Sequence, residues 1–172
     1  MTARAPATLA PVPLAPLARL PKSALAILYE AARHILRRPV VAVCAAARTP
    51  DGRWLLIRRA DTGTWALPGG TLEWGETLAT CLAREVLEEA GARVRAIGRV
   101  VGVYSRPDRD PRFHSVTIVV TCDVEEPHRA PLHAIEVLEV RAFADDETPR
   151  DLAMGQADML DAARAGGPTV FE

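Results

Sequence analysis

Residues 70–92 read GTLEWGETLATCLAREVLEEAGA, from Gly70 to Ala92. The preceding LPGG at 67–70 is a tight-turn signal, and the stretch after it predicts a helix over 76–91 that Gly91 stops. Ala79, Leu82, Ala83, Val86 and Ala90 recur at helical spacing and are expected to line its buried side. Glu85, Glu88 and Glu89 lie at i, i+3 and i+4, so their carboxylates converge on one face. Converging carboxylates repel one another, and a cation between them removes the repulsion. Hard oxygen donors at this density suit Mg2+ or Mn2+. A solvated acidic helix end accounts for the same spacing without a metal, and spacing alone does not separate the two. Arg84 is placed for an i,i+4 pair with Glu88, or to hold Glu76 across the loop.

Working outward, PVVAVCAAA at 39–47 and WLLIRR at 54–59 read as two strands joined by the turn TPDGR at 49–53. Beyond the helix, 93–105 reads as one or two strands. HSVTIVVTCDV at 114–124 is the clearest strand, with Val116, Ile118, Val120 and Cys122 on one face. A further strand is expected within 133–144 and a second helix over roughly 153–165, ended by Gly166 and Gly167. Met154 and Met159 read as packing residues of that helix. Strands, helix, strands, helix is an α/β order that suits a mixed sheet with helices on both faces. No strand–GxGxxG–helix unit and no Walker sequence occurs, which excludes the common dinucleotide and P-loop readings.

Before this domain, residues 1–21 are punctuated by Pro6, Pro11, Pro13, Pro16 and Pro21 and read as an arm. Residues 22–38 read as an amphipathic helix that either covers the domain or joins two copies. The expected organisation is thus an arm (1–21), a helix and dimer element (22–38) and a domain (39–172), assembled as a homodimer.

The chain has 172 residues and a formal net charge of -1, which argues against broad attraction to nucleic acid. No apolar run is long enough to span a bilayer, and the start lacks the basic and apolar segments of a signal peptide. A cytoplasmic protein with no membrane or nucleic-acid partner is expected. Cys44, Cys81 and Cys122 share no metal-ligand spacing and read as buried small hydrophobes.

The helix region resembles the signature of the Nudix hydrolases. That pattern is glycine, five residues, glutamate, seven residues, arginine–glutamate–aliphatic–any–glutamate–glutamate–any–glycine–aliphatic. Here it is carried by Gly70, Glu76, Arg84, Glu85, Val86, Glu88, Glu89 and Gly91, with Ala92 at the last position in place of a bulkier aliphatic. The resemblance covers roughly residues 39–165. It implies an α/β/α sandwich with a mixed sheet, here preceded by the arm and helix, and hydrolysis of a nucleoside diphosphate linked to another group. It implies Mg2+ or Mn2+ on Glu85, Glu88 and Glu89, with the Gly69 carbonyl as a further ligand. Arg84 and Glu76 are implied as organisers of the loop–helix geometry. The general base is a glutamate of this helix or an acid from a distant loop: Glu136, Glu139, Asp145, Asp146 or Glu147.

The loop GVYSRPDRDPRFHSVT at 102–117 resembles a segment of the family's ADP-ribose and nucleoside diphosphate sugar pyrophosphatases through Tyr104, Ser105, Pro107, Asp110, Pro111, Arg112 and His114. Arg58, Arg106, Arg112 and His114 are the expected substrate contacts. Only one of Arg58 and Arg59 is expected to face the ligand, because strand side chains alternate. Trp65 either lines the pocket or packs beneath the loop. The expected substrate is ADP-ribose or a related nucleotide sugar. Pyrophosphohydrolysis of normal or oxidised nucleoside triphosphates is the alternative, and an inactive nucleotide-binding regulatory module is a further one.

Overall fold

The computed structural model describes residues 38–132 and 135–172, with Ser23, Ala26, Ile27, Tyr29, Glu30 and Ala32 before them. Those six are helical. The arm at 1–21, the remainder of the 22–38 helix and His133 lie outside the described residues. The chain divides into two units, 1–38 and 39–172, and the sheet belongs to the second.

The strands of that second unit are β1 (Val40–Arg48), β2 (Trp54–Arg59), β3 (Trp65–Ala66), β4 (Gly69–Thr71), β5 (Val94–Tyr104), β6 (Ser115–Val124), β7 (Val137–Phe143) and β8 (Val170–Phe171). Its helices are α1 (Leu78–Ala90) and α2 (Gln156–Ala165), the latter entered through a 3-10 turn at Ala153–Gly155. One mixed sheet runs β3-β2-β1-β6-β5-β8, with β4 paired to β1 and β7 to β2. β1 and β6 are parallel over the whole of β1, Val40 opposite Ser115 through Arg48 opposite Asp123.

Both faces of the central strands are buried, so they read as continuous apolar runs. Val43, Ala45 and Ala47 of β1, with Leu55 and Ile57 of β2, pack with Cys81, Leu82, Val86 and Ala90 of α1. Cys44 and Ala46, with Trp54 and Leu56, point the other way and pack with Met159, Leu160 and Ala163 of α2. This is the α/β/α sandwich. The three cysteines are buried and free, as the apolar runs around them imply.

Two local readings change. The turn at 67–70 is only partly a turn, because Gly69–Thr71 pairs with β1 as a short strand. Helix α1 starts at Leu78 rather than at Glu76. The Thr77 hydroxyl accepts from the Thr80 amide at 3.2 Å, and the Thr80 hydroxyl accepts from the Thr77 amide at 2.9 Å. This reciprocal cap leaves Glu76 outside the helix. At the far end Gly91 takes φ 65°, and a Cβ there would collide with the Arg129 carbonyl. The segment after β6 then covers the open end of the helix. His128 N donates to Gly91 O at 3.1 Å and Leu132 N to Glu88 O at 2.7 Å.

Candidate active site

β4 lies against β1 and feeds directly into α1, which places the glycine turn over the acidic flank of the helix. The contact is close at Gly70, where any Cβ would overlap the Glu85 carboxylate. The next residue inward is Glu89, whose Oε2 accepts from the Gly69 amide at 2.8 Å. Glu89 is buried. Burial first, then the neighbouring Glu85 and Glu136, push its carboxyl up to about 7, against the opposing pull of the Gly69 amide and Arg59. Burial also raises the Glu85 carboxyl, although Arg84 opposes the rise.

Arg84 organises the outer flank. Its Nε and Nη2 donate to the two oxygens of Glu76 at 2.8 and 3.0 Å. Its Nη1 reaches Glu85 at 2.9 Å and Glu88 at 3.2 Å. Glu76 in turn accepts from the Glu73 amide at 3.0 Å, and its hydrogen bonds to Arg84 lower its carboxyl to about 2. Both pairings that the spacing allowed for Arg84 are therefore made at once.

Glu85 and Glu89 open onto a cleft of about 440 Å³, within the ordinary size for a small-molecule site. Gly69 and Gly70 form one wall of it. Arg59, Asp61, Asp110, Arg112, Phe113 and Glu136 line it too, with Met154, Gln156 and Met159. Arg112 grips Asp110 with Nε at 3.0 Å and Nη2 at 2.8 Å, and its guanidinium lies 5.1 Å from the Phe113 ring centroid. Arg59 grips Asp61 at 2.9 and 2.6 Å.

The expected contacts divide. Glu85, Glu89, Gly69, Arg112 and Glu136 are brought together around the cleft. Arg58 is not: it donates to the Gly63 carbonyl at 3.0 Å and lies 3.8 Å from Glu139, while its neighbour Arg59 faces in. A register shift in the β2–β7 pairing between these two arginines accompanies the change of side. Glu139 goes with Arg58 and stands outside the lining. Arg106 is exposed and lies 3.7 Å from both Asp108 and Glu172. His114 donates from Nε2 to the Ser105 carbonyl at 2.8 Å, so it shapes the loop instead of lining the cleft. Asp145 accepts from Trp54 Nε1 at 2.5 Å and from Arg164 at 3.2 Å, and neither it nor Asp146 nor Glu147 lines the cleft. Trp65 packs edge-on against Phe143, with centroids 4.8 Å apart. Met154 and Met159, expected as packing residues, also line the cleft.

Sequence reasoning passed over Asp61 and Gln156. Gln156 opens α2, and its Oε1 accepts from the Leu67 amide at 2.7 Å, which ties the start of α2 to the glycine turn. Its only sequence signal is its place at the entry of the second helix, two residues after Met154.

Among the described residues no group of three or more His, Cys, Asp or Glu is gathered as a ready metal cage. The donor chemistry nonetheless fits a hard divalent cation. Glu89 is a buried carboxylate with one backbone donor and no salt-bridging cation within hydrogen-bond distance among the described residues, and Glu85 lies beside it facing the same cleft. Glu88 is the third available donor and lies on Arg84. No helix among the described residues is long and apolar enough to cross a membrane.

The NUDIX domain family model matches residues 37–163. A MutT-like protein of Streptomyces ambofaciens is 39% identical over 131 residues, covering 76% of this chain and 80% of its own. An ADP-ribose pyrophosphatase of Methanocaldococcus jannaschii is 46% identical over 77 residues, 43% of this chain and 45% of that protein. The crystal structure of a NUDIX hydrolase from Nitrosomonas europaea superposes with a TM-score of 0.64 at 31% identity, over 79% of this chain and 80% of that one. Signature geometry, sandwich and similarity agree: the chain belongs to the Nudix hydrolases and cleaves a nucleoside diphosphate linked to another group.

Proposed function

We propose that this enzyme hydrolyses the diphosphate of ADP-ribose or a related nucleoside diphosphate sugar to a nucleoside monophosphate and a sugar phosphate. The observation that carries the reading is a group of side chains that line the same cleft as Glu85 and Glu89. There two arginines, Arg59 and Arg112, flank Asp61, and the Phe113 ring stands beside Arg112. This combination suits a ligand with a diphosphate at its centre and a polar or aromatic group at its end. The similarity to the M. jannaschii ADP-ribose pyrophosphatase supports the same substrate class, although the matched region is under half of that protein.

Glu85, Glu89 and Glu88 would hold Mg2+ or Mn2+, with the Gly69 carbonyl beside them. When bound, the metal neutralises the diphosphate and acidifies a water molecule. The chain itself does the rest. Arg84 keeps Glu85 and Glu88 in place and carries positive charge at every working pH. Water adds to one phosphorus, the bridging P–O bond breaks, and the bridging oxygen leaves on the other phosphate. Glu136 is the acid we assign to take the water proton, since it alone of the distant candidates lines the cleft.

The test is a panel of ADP-ribose, nucleotide sugars and nucleoside triphosphates with Mg2+ or Mn2+ and product identification. Nucleoside monophosphate plus sugar phosphate supports the reading. Pyrophosphate released from triphosphates, with nucleotide sugars left intact, overturns it.

A further inference from the structure

The loop between β5 and β6 carries Asp110 and Arg112 to the cleft, and its position is set from far along the chain. β8 runs parallel to the end of β5, with Val170 beside Gly102 and Phe171 beside Val103. The Glu172 amide then donates to the Val103 carbonyl at 3.0 Å. This delivers the Glu172 carboxylate to the root of the loop. Its Oε1 accepts from the Ser105 amide at 3.1 Å and the Arg106 amide at 2.7 Å, and the Ser105 hydroxyl donates to the Glu172 carbonyl at 3.0 Å.

Both carboxylate oxygens also take Arg109. Nε donates at 3.1 Å to each, and Nη2 donates to Oε2 at 2.5 Å. The other donors of Arg109 reach the Gly155 carbonyl at 3.0 Å and Asp158 at 3.1 and 2.7 Å. A guanidinium has five N–H groups, and all are used here. Arg109 therefore has no N–H to spare for a phosphate, although it borders the cleft. It spans instead from the loop to the turn before α2. In that turn Met154 takes φ 57°, a left-handed conformation for a residue with a side chain, and its Sδ lies 3.8 Å from Arg112 Nη2.

We propose that Glu172 and Arg109 are positioning residues: a partly buried ionic latch that holds the 105–112 loop to the 153–155 turn and so sets where Arg112 and Met154 meet the substrate. The inference rests on reading this cleft as the nucleotide-sugar site. An exposed ion pair would contribute little. The Arg109 side chain, however, is only 6% exposed, and the pair is charge-assisted at both ends. Loss of Glu172 leaves a buried cation short of a partner and frees two loop amides. Neither residue faces Glu85 or Glu89 in any hydrogen bond, so the effect belongs to substrate affinity and not to the bond-breaking step.

The experiment compares the full chain with Glu172→Gln and Arg109→Met, singly and together. Steady-state hydrolysis of ADP-ribose and amide hydrogen exchange over residues 105–112 are measured. For Glu172→Gln, KM is expected to rise about tenfold with kcat within about threefold, and the Ser105 and Arg106 amides to exchange faster. The double variant should be no worse than the poorer single one, because both break the same latch. If Glu172→Gln does not fold, Asp158→Asn, at the exposed end of the latch, replaces it with a smaller KM rise expected. An unchanged KM, a fall in kcat alone, or unchanged exchange overturns the proposal. If the unmutated enzyme leaves every nucleotide sugar intact, the substrate reading fails. The latch is then judged by loop exchange and by KM for whichever nucleotide is hydrolysed.

Discussion

Replacing Glu89 by Gln should make the metal-free protein more stable at alkaline pH and change it little at pH 4 to 5. The glutamine oxygen can still accept from the Gly69 amide, so the 2.8 Å hydrogen bond survives. What disappears is a buried titrating group. The Glu89 carboxyl is raised from 4.5 to about 7, chiefly by burial. Below the lower value the folded and unfolded chains are both protonated and the group contributes nothing. Between the two values the folded chain holds the extra proton, so stability falls as pH rises, and above about 7 the full cost is present. At about 1.4 kcal/mol per pH unit the penalty reaches about 3 kcal/mol, a large part of a typical domain stability of about 5–15 kcal/mol. Urea unfolding of both proteins in a chelator, from pH 5 to pH 8, measures it. The advantage of the glutamine variant should grow across that range to about 3 kcal/mol. Added Mg2+ should then stabilise only the glutamate protein at pH 8, because a cation compensates the buried charge. An offset between the two proteins that is constant with pH would refute the reasoning.

Other perturbations separate residues that look alike in sequence. Glu136→Gln should lower kcat by about 100-fold or more, whereas Glu139→Gln, which removes a partner of Arg58, should stay within about twofold; initial rates at saturating substrate decide, and equal effects would remove Glu136 as base. Leu82→Ala, at a side chain that is 1% exposed between α1 and the sheet, should cost about 2–5 kcal/mol in urea unfolding with the unfolding slope unchanged. Deletion of residues 1–37 should convert a dimer to a monomer by light scattering, and an unchanged mass refutes the dimer role of that segment.

The chain could be read furthest where one element carries its own pattern. β2 was legible to the residue, since an apolar run between a turn and two arginines has few alternatives. The acidic helix was legible because its spacing is local. What escaped depends on partners remote in sequence. Arg58 and Arg59 differ only in side, and which side faces the cleft is set by elements far along the chain that a strand's own alternation does not show. Arg109 stands in the sequence as one of three similar loop arginines. Its partners Asp158 and Glu172 are 49 and 63 residues away, and nothing in the loop distinguishes it from Arg106 or Arg112. Glu136 and Glu139 are likewise separated only by where β7 begins.

The three glutamates of α1 are equal in type and unequal in environment, and helix geometry explains the inequality. At about 100° per residue, taking Cys81 as zero, Leu82 falls at about 100°, Val86 at about 140° and Ala90 at about 180°. These are the buried side chains, so the core covers an arc from zero to about 180°. Ala83, expected inside, falls at about 200°, just beyond its far edge, and is exposed; Ala79 falls at about 160°, within the arc, and is exposed in the first turn of the helix. The arc is turned toward Cys81, and Glu89, at about 80°, lies within it. Glu85 at about 40° is nearer the edge, and Glu88 at about 340° is outside, beside Arg84 at about 300°. The order of burial, Glu89 then Glu85 then Glu88, matches their side-chain surroundings: a backbone amide, a glycine wall and an arginine. Substituting leucine for Ala83 would therefore add apolar surface on the exposed side without moving the acids. Exchanging Cys81 for a larger side chain would press on the arc that contains Glu89. The chemistry and the packing of this helix share one face, and Glu89 is where they meet.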